Sequence, residues 1–495
     1  MRLQRILSEV NVMNEKSGIT ISKKSFLSSV TILGILMVLS GLLTRIIPSG
    51  AYERIFTEGR ESVVPGSFRF MDNVDYPFYR WFTAPVEVLF GSDALTIIVI
   101  ILFILLIGSS FRVLDKSGIL RYIMASIVKR FEKRKYILMG ILILFFMLFG
   151  SLFGIFEELI VLVPMAVTLS YSLGWDSLVG LGISAMASGF GFSAAIFNPF
   201  TLGVAQTLAD LPPYSGMAYR VLIFITIYLA LYGFLYLYAR RIEKKPSLSP
   251  VYQEDRAAKR RFSLDEEVRD SDHEKMDKAV KIYTIFMGLM VFVILLGFFI
   301  PVLSQITLPL VAIIFLIAGV VGGILSEYGN FKEILWDLAR GFLSMLPAAL
   351  LILMAMSIKH IMTEGKVMDS ILYYASGYIE GLSPNLAVLG LYVLILVLDF
   401  FIGSGSAKAF LVMPIILPLT DMVDVTRQTA ILAFCFGDGF SNLMFPTNPT
   451  LMIALGLTVV SYPKWIRWSI KIQVVVFLIT LGFLFLANSF GYGPF

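Results

Sequence analysis

Cysteine and histidine are almost missing from this chain of 495 residues, and charge is scarce. The one cysteine, Cys435, excludes an intrachain disulfide, and the two histidines, His273 and His360, exclude a His-rich metal site and argue against histidine proton relays. Only 15% of residues are charged against 57% hydrophobic, and the mean hydropathy of +0.83 is too high for a soluble protein. Catalytic signatures are absent as well: there is no zinc-protease or phosphate-loop pattern. Asp438 follows Cys435-Phe436-Gly437, so the Gly-x-Gly-Asp pattern of intramembrane aspartyl proteases fails. The composition therefore predicts a protein that is not an enzyme, with no cofactor and no metal. The net charge of +5 fits the cytoplasmic loops of a membrane protein and gives no nucleic-acid surface.

What the chain has instead is long apolar runs, many reaching the ~20 residues a helix needs to cross a bilayer. Continuous stretches such as Thr96 to Ile107 are helical, because a transmembrane β-strand would alternate apolar and polar residues. Phe26 to Pro48 is too long for a signal-peptide core and reads as a first span. Basic residues in 1–25 and 112–135 place those segments in the cytoplasm, and the acidic segment 49–94 belongs outside. The linker near 240–281, with twelve Lys/Arg, ten acids and no apolar periodicity, reads as a solvated cytoplasmic connector. Amphipathic stripes at 119–131 and 367–382 read as interfacial helices on opposite faces.

Nine full spans are predicted, at 26–48, 95–114, 176–197, 218–239, 281–300, 306–325, 346–363, 427–447 and 465–488. Two re-entrant hairpins, 135–173 and 385–421, join them, since irregular backbone at mid-membrane is tolerated only against protein or a watery cavity. The domains are a cytoplasmic tail 1–25, a first repeat 26–240, a charged linker 241–280 and a second half 281–490. The N-terminus falls in the cytoplasm and the C-terminus outside, in a cell (plasma or inner) membrane.

Two stretches 250 residues apart match in ungapped register. Gly189-Phe190-Gly191-Phe192-Ser193 with Phe197-Asn198-Pro199-Phe200 answers Gly439-Phe440-Ser441-Asn442 with Thr447-Asn448-Pro449-Thr450, and Pro164 answers Pro414. Apolar helices do not use Gly, Asn and Pro by default. An Asn-Pro break at corresponding places in two halves marks a secondary transporter with its site between inverted repeats. The fold class is an all-α polytopic membrane protein, each repeat carrying a re-entrant hairpin and a broken helix. The N-termini of the helices after both tips, and of the half-helices at Pro199 and Pro449, should converge as a seat for a carboxylate.

The candidate substrate-binding residues follow from that geometry. Glu157 and Glu158 are adjacent acids at mid-membrane, where charge costs ~2.5–3.5 kcal/mol each, and they serve substrate or proton binding or else cap a helix. Lys408 matches Glu158 in register and needs an anion nearby: Glu157, Glu158, Asp438 or the substrate. Its bland reading is a salt bridge between the hairpins. Asp438, between two glycines, coordinates a cation, carries a proton or bonds unwound backbone. Asn442 lies one turn on, and Asn198 and Asn448 face the opened breaks beside Thr447. Ser193, Ser404 and Ser406 can bind a carboxylate, although serine in membrane helices often bonds its own backbone. Arg45, Arg220, Lys359 and His360 lie near span ends, where snorkelling accounts for them.

Glu157-Glu158, Pro164, Gly174-Trp175-Asp176, Phe197-Asn198-Pro199-Phe200 and Ala205-Gln206 resemble the first half of YfcC-type carriers. Ser404-Gly405-Ser406-Ala407-Lys408, Pro414, Pro418-Leu419, Arg427-Gln428, Gly437-Asp438-Gly439, Asn442 and Pro446-Thr447 are similar to the second half. The resemblance implies kinship with basic amino acid antiporters of the arginine/ornithine type and, further off, with C4-dicarboxylate carriers of the ion transporter superfamily. It also implies a homodimer whose protomers hold a scaffold and an elevator-type transport domain. The tip departs from the Ser-Asn-Thr tips of sodium-coupled dicarboxylate relatives, which leaves the coupling ion (H+ or Na+) open. The expected activity is exchange of carboxylate-bearing metabolites, arginine for ornithine, with a C4-dicarboxylate or other organic-anion carrier as the alternative. The expected partners are that small molecule, membrane lipid and a second copy of the chain. A channel is disfavoured, because broken helices in two repeats suit alternating access.

Overall fold

The computed structural model describes residues 23–493, apart from 58–59, 73, 75, 92, 132–133, 213, 263–272 and 301–305. Most of the expected tail 1–25 and the middle of the linker 241–280 therefore lie outside the described residues. In chain order the first helices are α1 (Lys23–Ile46), α2 (Arg80–Glu87), α3 (Ala94–Lys116), α4 (Ile119–Phe131) and α5 (Lys135–Phe153). A 3-10 turn, Glu158–Leu162, leads into α6 (Val163–Ser172). Next come α7 (Ser177–Ser193), a π turn at Pro199–Gly203, α8 (Val204–Leu208), α9 (Met217–Lys244), α10 (Tyr252–Phe262) and α11 (His273–Phe299). The second half holds α12 (Thr307–Leu325), α13 (Phe331–Ser344), α14 (Leu346–Glu364), α15 (Met368–Ile379), α16 (Pro384–Asp399), α17 (Gly405–Met422), α18 (Arg427–Ser441), α19 (Pro449–Gly456) and α20 (Tyr462–Ser489). Four short strands pair two by two between α1 and α2.

Lipid explains how these helices divide their surfaces. One face of α9 buries Ile223, Ile227, Leu231 and Leu235, while Leu222, Ile225 and Leu229 on another face stay open. Open leucines on a long helix are the lipid side of a span, where apolar atoms have no reason to hide.

Nine helices among the described residues are long and apolar enough to cross a membrane, but they are not the nine expected. They include the arms α5 and α17, whereas α7 and α18 fall short because the Asn-Pro breaks cut them. The amphipathic α13, started by an Asn330–Glu333 capping box, was not foreseen.

The arms of the first hairpin come back together. Lys135 at the start of α5 lies 2.8 Å from Glu243, and Tyr136 donates to the same carboxylate at 2.9 Å. The Trp175 indole, just past α6, donates to Glu243 too. The second hairpin closes elsewhere: Asn488 donates to Asn385 at 2.9 Å, and Thr426 donates to the carbonyl of Tyr492. Both of those ends meet the C-terminal end of α20, whose other end is tied by Lys464 to Glu254 at 2.6 Å. A helix of 28 residues is roughly 42 Å long, so the two hairpins enter from opposite faces.

The linker is the largest correction. Read as a solvated connector, it instead continues α9 to Lys244, turns at Pro246–Leu248 and docks α10 against the base of the first hairpin. Val251 and Ala258 are buried, and Asp255 accepts from Tyr171, Ser177 Oγ and the Ser177 backbone at 2.8–2.9 Å. One anchoring acid and two small apolar residues leave no periodic trace in such a charged stretch.

Candidate functional site

Tip 1 begins where α5 ends on Gly154 in the left-handed conformation (φ 66°). A side chain there would start 2.3 Å from Asn198 Oδ1, so only glycine allows the tip to lie against the break. Ser151 tightens the same junction: its hydroxyl and carbonyl accept from the backbones of Ile196 and Phe197, both at 3.0 Å. Ile155 and Phe156 turn inward, leaving Glu157 exposed and Glu158 half-buried. Glu157 stands beside Thr450 of the other repeat's break, so the tip of one half faces the broken helix of the other.

The two breaks are built alike. Asn198 Oδ1 accepts from the backbones of Phe200 (3.0 Å) and Thr201 (3.3 Å), and Asn448 Oδ1 from those of Thr450 (2.9 Å) and Leu451 (3.2 Å). Each asparagine caps its own half-helix, with the proline at the first helical position, where a missing N–H costs nothing. Asn442 accepts from the Asn448 amide, so both are engaged in the break itself. Of the four helix ends expected to converge, those at Pro199 and Pro449 are closed by their own caps. Ser193 donates to the Gly189 carbonyl at 2.8 Å, which is the local bond serine makes in apolar helices. The Thr447 hydroxyl is buried with no hydrogen-bond partner among the described residues. Helices α7 and α18 cross through Phe190 and Phe440, ring centres 5.3 Å apart.

Tip 2 leaves its helix end open. Ser404 precedes α17 without a side-chain cap, and Gly403, Ser404 and Ala407 are exposed. The first turn of α17 therefore presents uncapped backbone N–H groups to whatever fills the space before it. Ser404, Ser406 and Ala407 line a cavity of about 870 Å³, shared with Arg54, Lys359, Lys366 and Asp369. Arg54 is paired with Asp369 at 2.9 Å and Lys359 with Asp93 at 2.6 Å, while Lys366 is exposed. Glu157 and Glu158 lie outside that lining.

Lys408 does not face the cavity. Its ammonium is fully buried between Asp438, 2.8 Å away, and Asp399, in closer contact still. Of the anions weighed for it, Asp438 is present and the two glutamates are not. Asp399 was overlooked, though a lone acid inside the apolar run 385–402 is a signal that a nearby buried cation awaits it. Ser441 holds the second Asp399 oxygen at 2.7 Å. Snorkelling is also corrected at Arg220. Arg220 is 2% exposed and donates to the carbonyls of Ser215 (2.6 Å) and Tyr214 (2.9 Å) near the first break. Arg45 donates to the Tyr76 carbonyl at 3.0 Å, and His360 sits 3.5 Å from Glu87.

Hairpins entering from opposite faces, paired helix breaks and a buried charge cluster define a polytopic membrane carrier. The sequence profile of the C4-dicarboxylate anaerobic carriers, DcuC, matches residues 26–489, and the chain belongs to that family. A protein of Escherichia coli K12 is 28% identical over 484 residues, covering 92% of this chain and 95% of its own; its name, given provisionally, is basic amino acid antiporter YfcC. An uncharacterized protein of Haemophilus influenzae is 22% identical over 489 residues, covering 90% and 93%. Among solved structures, MtrF of Neisseria gonorrhoeae, described as illuminating a class of antimetabolite efflux pumps, is 15% identical (93% and 94% covered, TM-score 0.41). The YdaH transporter of Alcanivorax borkumensis is 18% identical (95% and 100% covered, TM-score 0.41).

Proposed function

We propose that the chain exchanges amino acids across the membrane, arginine-type cationic ones for ornithine. The carrying observation is the division of labour between the tips. Tip 2 offers uncapped N–H groups at Ser404–Ala407 for a carboxylate, tip 1 offers Glu157 and Glu158 for a cation, and Lys408 is occupied by Asp399 and Asp438. A dicarboxylate would bring a second anion toward two glutamates with no free cation among these tip residues to receive it. The name of the Escherichia coli relative agrees with this reading. In it, Ser406 and Thr447 supply hydroxyls, the asparagines keep the breaks rigid, and the substrate reaches tip 2 through the cavity of about 870 Å³.

The same proposal places the linker face and the N-terminus in the cytoplasm and the cavity mouth outside, following the basic and acidic segments. It takes the working unit as a homodimer whose hairpins travel as an elevator against a scaffold. Counterflow in proteoliposomes tests the activity: labelled arginine should leave the lumen when ornithine is supplied in excess outside, and retained label would rule the exchange out. The second reading, a C4-dicarboxylate carrier, is favoured by the family description and by Lys366 in the cavity wall. Labelled succinate leaving against external succinate, with arginine retained, would establish it instead.

A further inference from the structure

Buried where α16, α17 and α18 meet, two carboxylates share one ammonium, and all three side chains are 0% exposed. Counting charges, Asp399, Asp438 and Lys408 leave one negative charge in the interior of a membrane protein, where an uncompensated charge is costly. The oxygens divide unequally. Asp399 receives Lys408 on one oxygen and the Ser441 hydroxyl on the other, whereas Asp438 receives Lys408 on Oδ1. Asp438 Oδ2 is buried with no hydrogen-bond partner among the described residues. A side chain on Gly405 would start 2.7 Å from that oxygen, so it faces the backbone of tip 2. Gly405 stands between Ser404 and Ser406, which both line the cavity.

We propose that Asp399, Lys408 and Asp438 form a proton-carrying site distinct from the substrate site, with the proton taken up on Asp438 Oδ2 as tip 2 moves. The chemistry selects the ion. A metal cation at Oδ2 would meet the Lys408 ammonium, itself 2.8 Å from Oδ1, and like charges repel strongly in a low-dielectric interior. A proton forms an O–H bond on the carboxylate, brings the cluster to net zero and adds no bulk against Gly405. Ser441 and Cys435 on α18, and Thr201 from the first break against Gly405, are neutral, and the buried Arg220 of α9 acts on Cys435 while donating to the carbonyls of Ser215 and Tyr214. Among the described residues Lys408 is the cation paired with the cluster, and Arg220 makes no ion pair with it. The inference goes beyond the exchange reading, since arginine-for-ornithine exchange alone needs no proton.

The test uses the full chain, purified. Infrared difference spectra between acid and alkaline buffer read the protonated-carboxyl stretch directly, with or without a substrate. The expected result is a band component in the wild-type protein that is lost in Asp438→Asn, shifted but kept in Asp438→Glu, and still present in Asp255→Asn, which removes only the separate component of the linker-face acid. An Asp255→Asn background with no remaining titrating band, or a band surviving undiminished in Asp438→Asn, would overturn the proposal. If Asp438→Asn does not fold, the shift in Asp438→Glu decides alone, and an unshifted band overturns it. A second arm, which does rest on the exchange reading, traps pyranine in proteoliposomes and counts protons entering with labelled arginine. That ratio should fall about tenfold in Asp438→Asn and be largely kept in Asp438→Glu, and an unchanged ratio in Asp438→Asn would count against coupling through this cluster. Should arginine fail to move at all, the exchange reading falls while the infrared result still decides the proton site.

Discussion

The two hairpin tips occupy matching places in the two repeats and do opposite things with charge. Tip 1 leaves Glu157 exposed and Glu158 half-buried above a 3-10 turn. Tip 2, in the same register, buries Lys408 completely and leaves the start of α17 uncapped. The difference begins at one matched pair, Glu158 and Lys408. A carboxylate at a helix start suits the dipole and needs no partner, so it can stay available. An ammonium there is opposed by the dipole and must recruit acids, and here it recruits two. An inverted repeat can thus hold its backbone symmetry while one tip keeps its carboxylates open and the other seals its ammonium in a cluster.

The most damaging way to break that contrast is to remove the cation. Lys408→Met leaves Asp399 and Asp438 buried and unpaired, and losing one partner of a buried pair costs about 3–5 kcal/mol. Little monodisperse protein should survive detergent extraction. Adding Asp399→Asn should restore much of the yield, and Lys408→Met alone behaving like wild type would show the cluster to be slack. Next in size is the exposed tip. Glu157→Gln should keep the fold, since the side chain is open, while losing a charge-assisted bond of about 1.5–3 kcal/mol to substrate. Arginine affinity should then fall about 10- to 100-fold, and wild-type kinetics would remove Glu157 from the site. Smaller again is the cap. Asn448→Ala should cost about 0.5–2 kcal/mol, read as a drop in melting temperature, and Asn198→Ala should match it if the breaks are equivalent.

The sequence made the frame legible because its signals are covalent in nature. Asn198-Pro199 and Asn448-Pro449 stop a helix wherever they stand, and Gly437 and Gly439 beside Asp438 mark close approaches that a longer side chain would block. The site was half legible. Glu157, Glu158 and the cap-forming asparagines are charged or amide residues in apolar surroundings, so composition alone singles them out. What stayed hidden depends on packing between distant segments. Asp399 acquires meaning only once α16 and α17 fold together and Ser441 arrives from α18. Arg220 looked like a snorkelling residue until Tyr214 and Ser215 were seen to supply it with carbonyls.

The linker gives the mildest test, and it probes the face opposite tip 2. Asp255 is buried beside Asp176 where α10 meets α6 and α7, and burial first, then the Asp176 charge, pushes its carboxyl up to about 7. Tyr171 and Ser177 donate to Asp255, while Tyr238 and Ser249 donate to Asp176 at 2.6–2.7 Å. The folded value lies above the unfolded value of about 4, so the docked linker holds a proton that the released linker gives up across that window. Docking is therefore favoured at acid pH and weakens as pH rises from about 4 to about 7. Release of α10 relieves the strain without unfolding the membrane helices, so the melting temperature should move little and the response should stay local. Limited proteolysis of the linker should accelerate as pH rises through this window, and Asp255→Asn should flatten the profile. A wild-type profile already flat after correction for the protease's own pH dependence would show that α10 stays docked whatever the charge on Asp255.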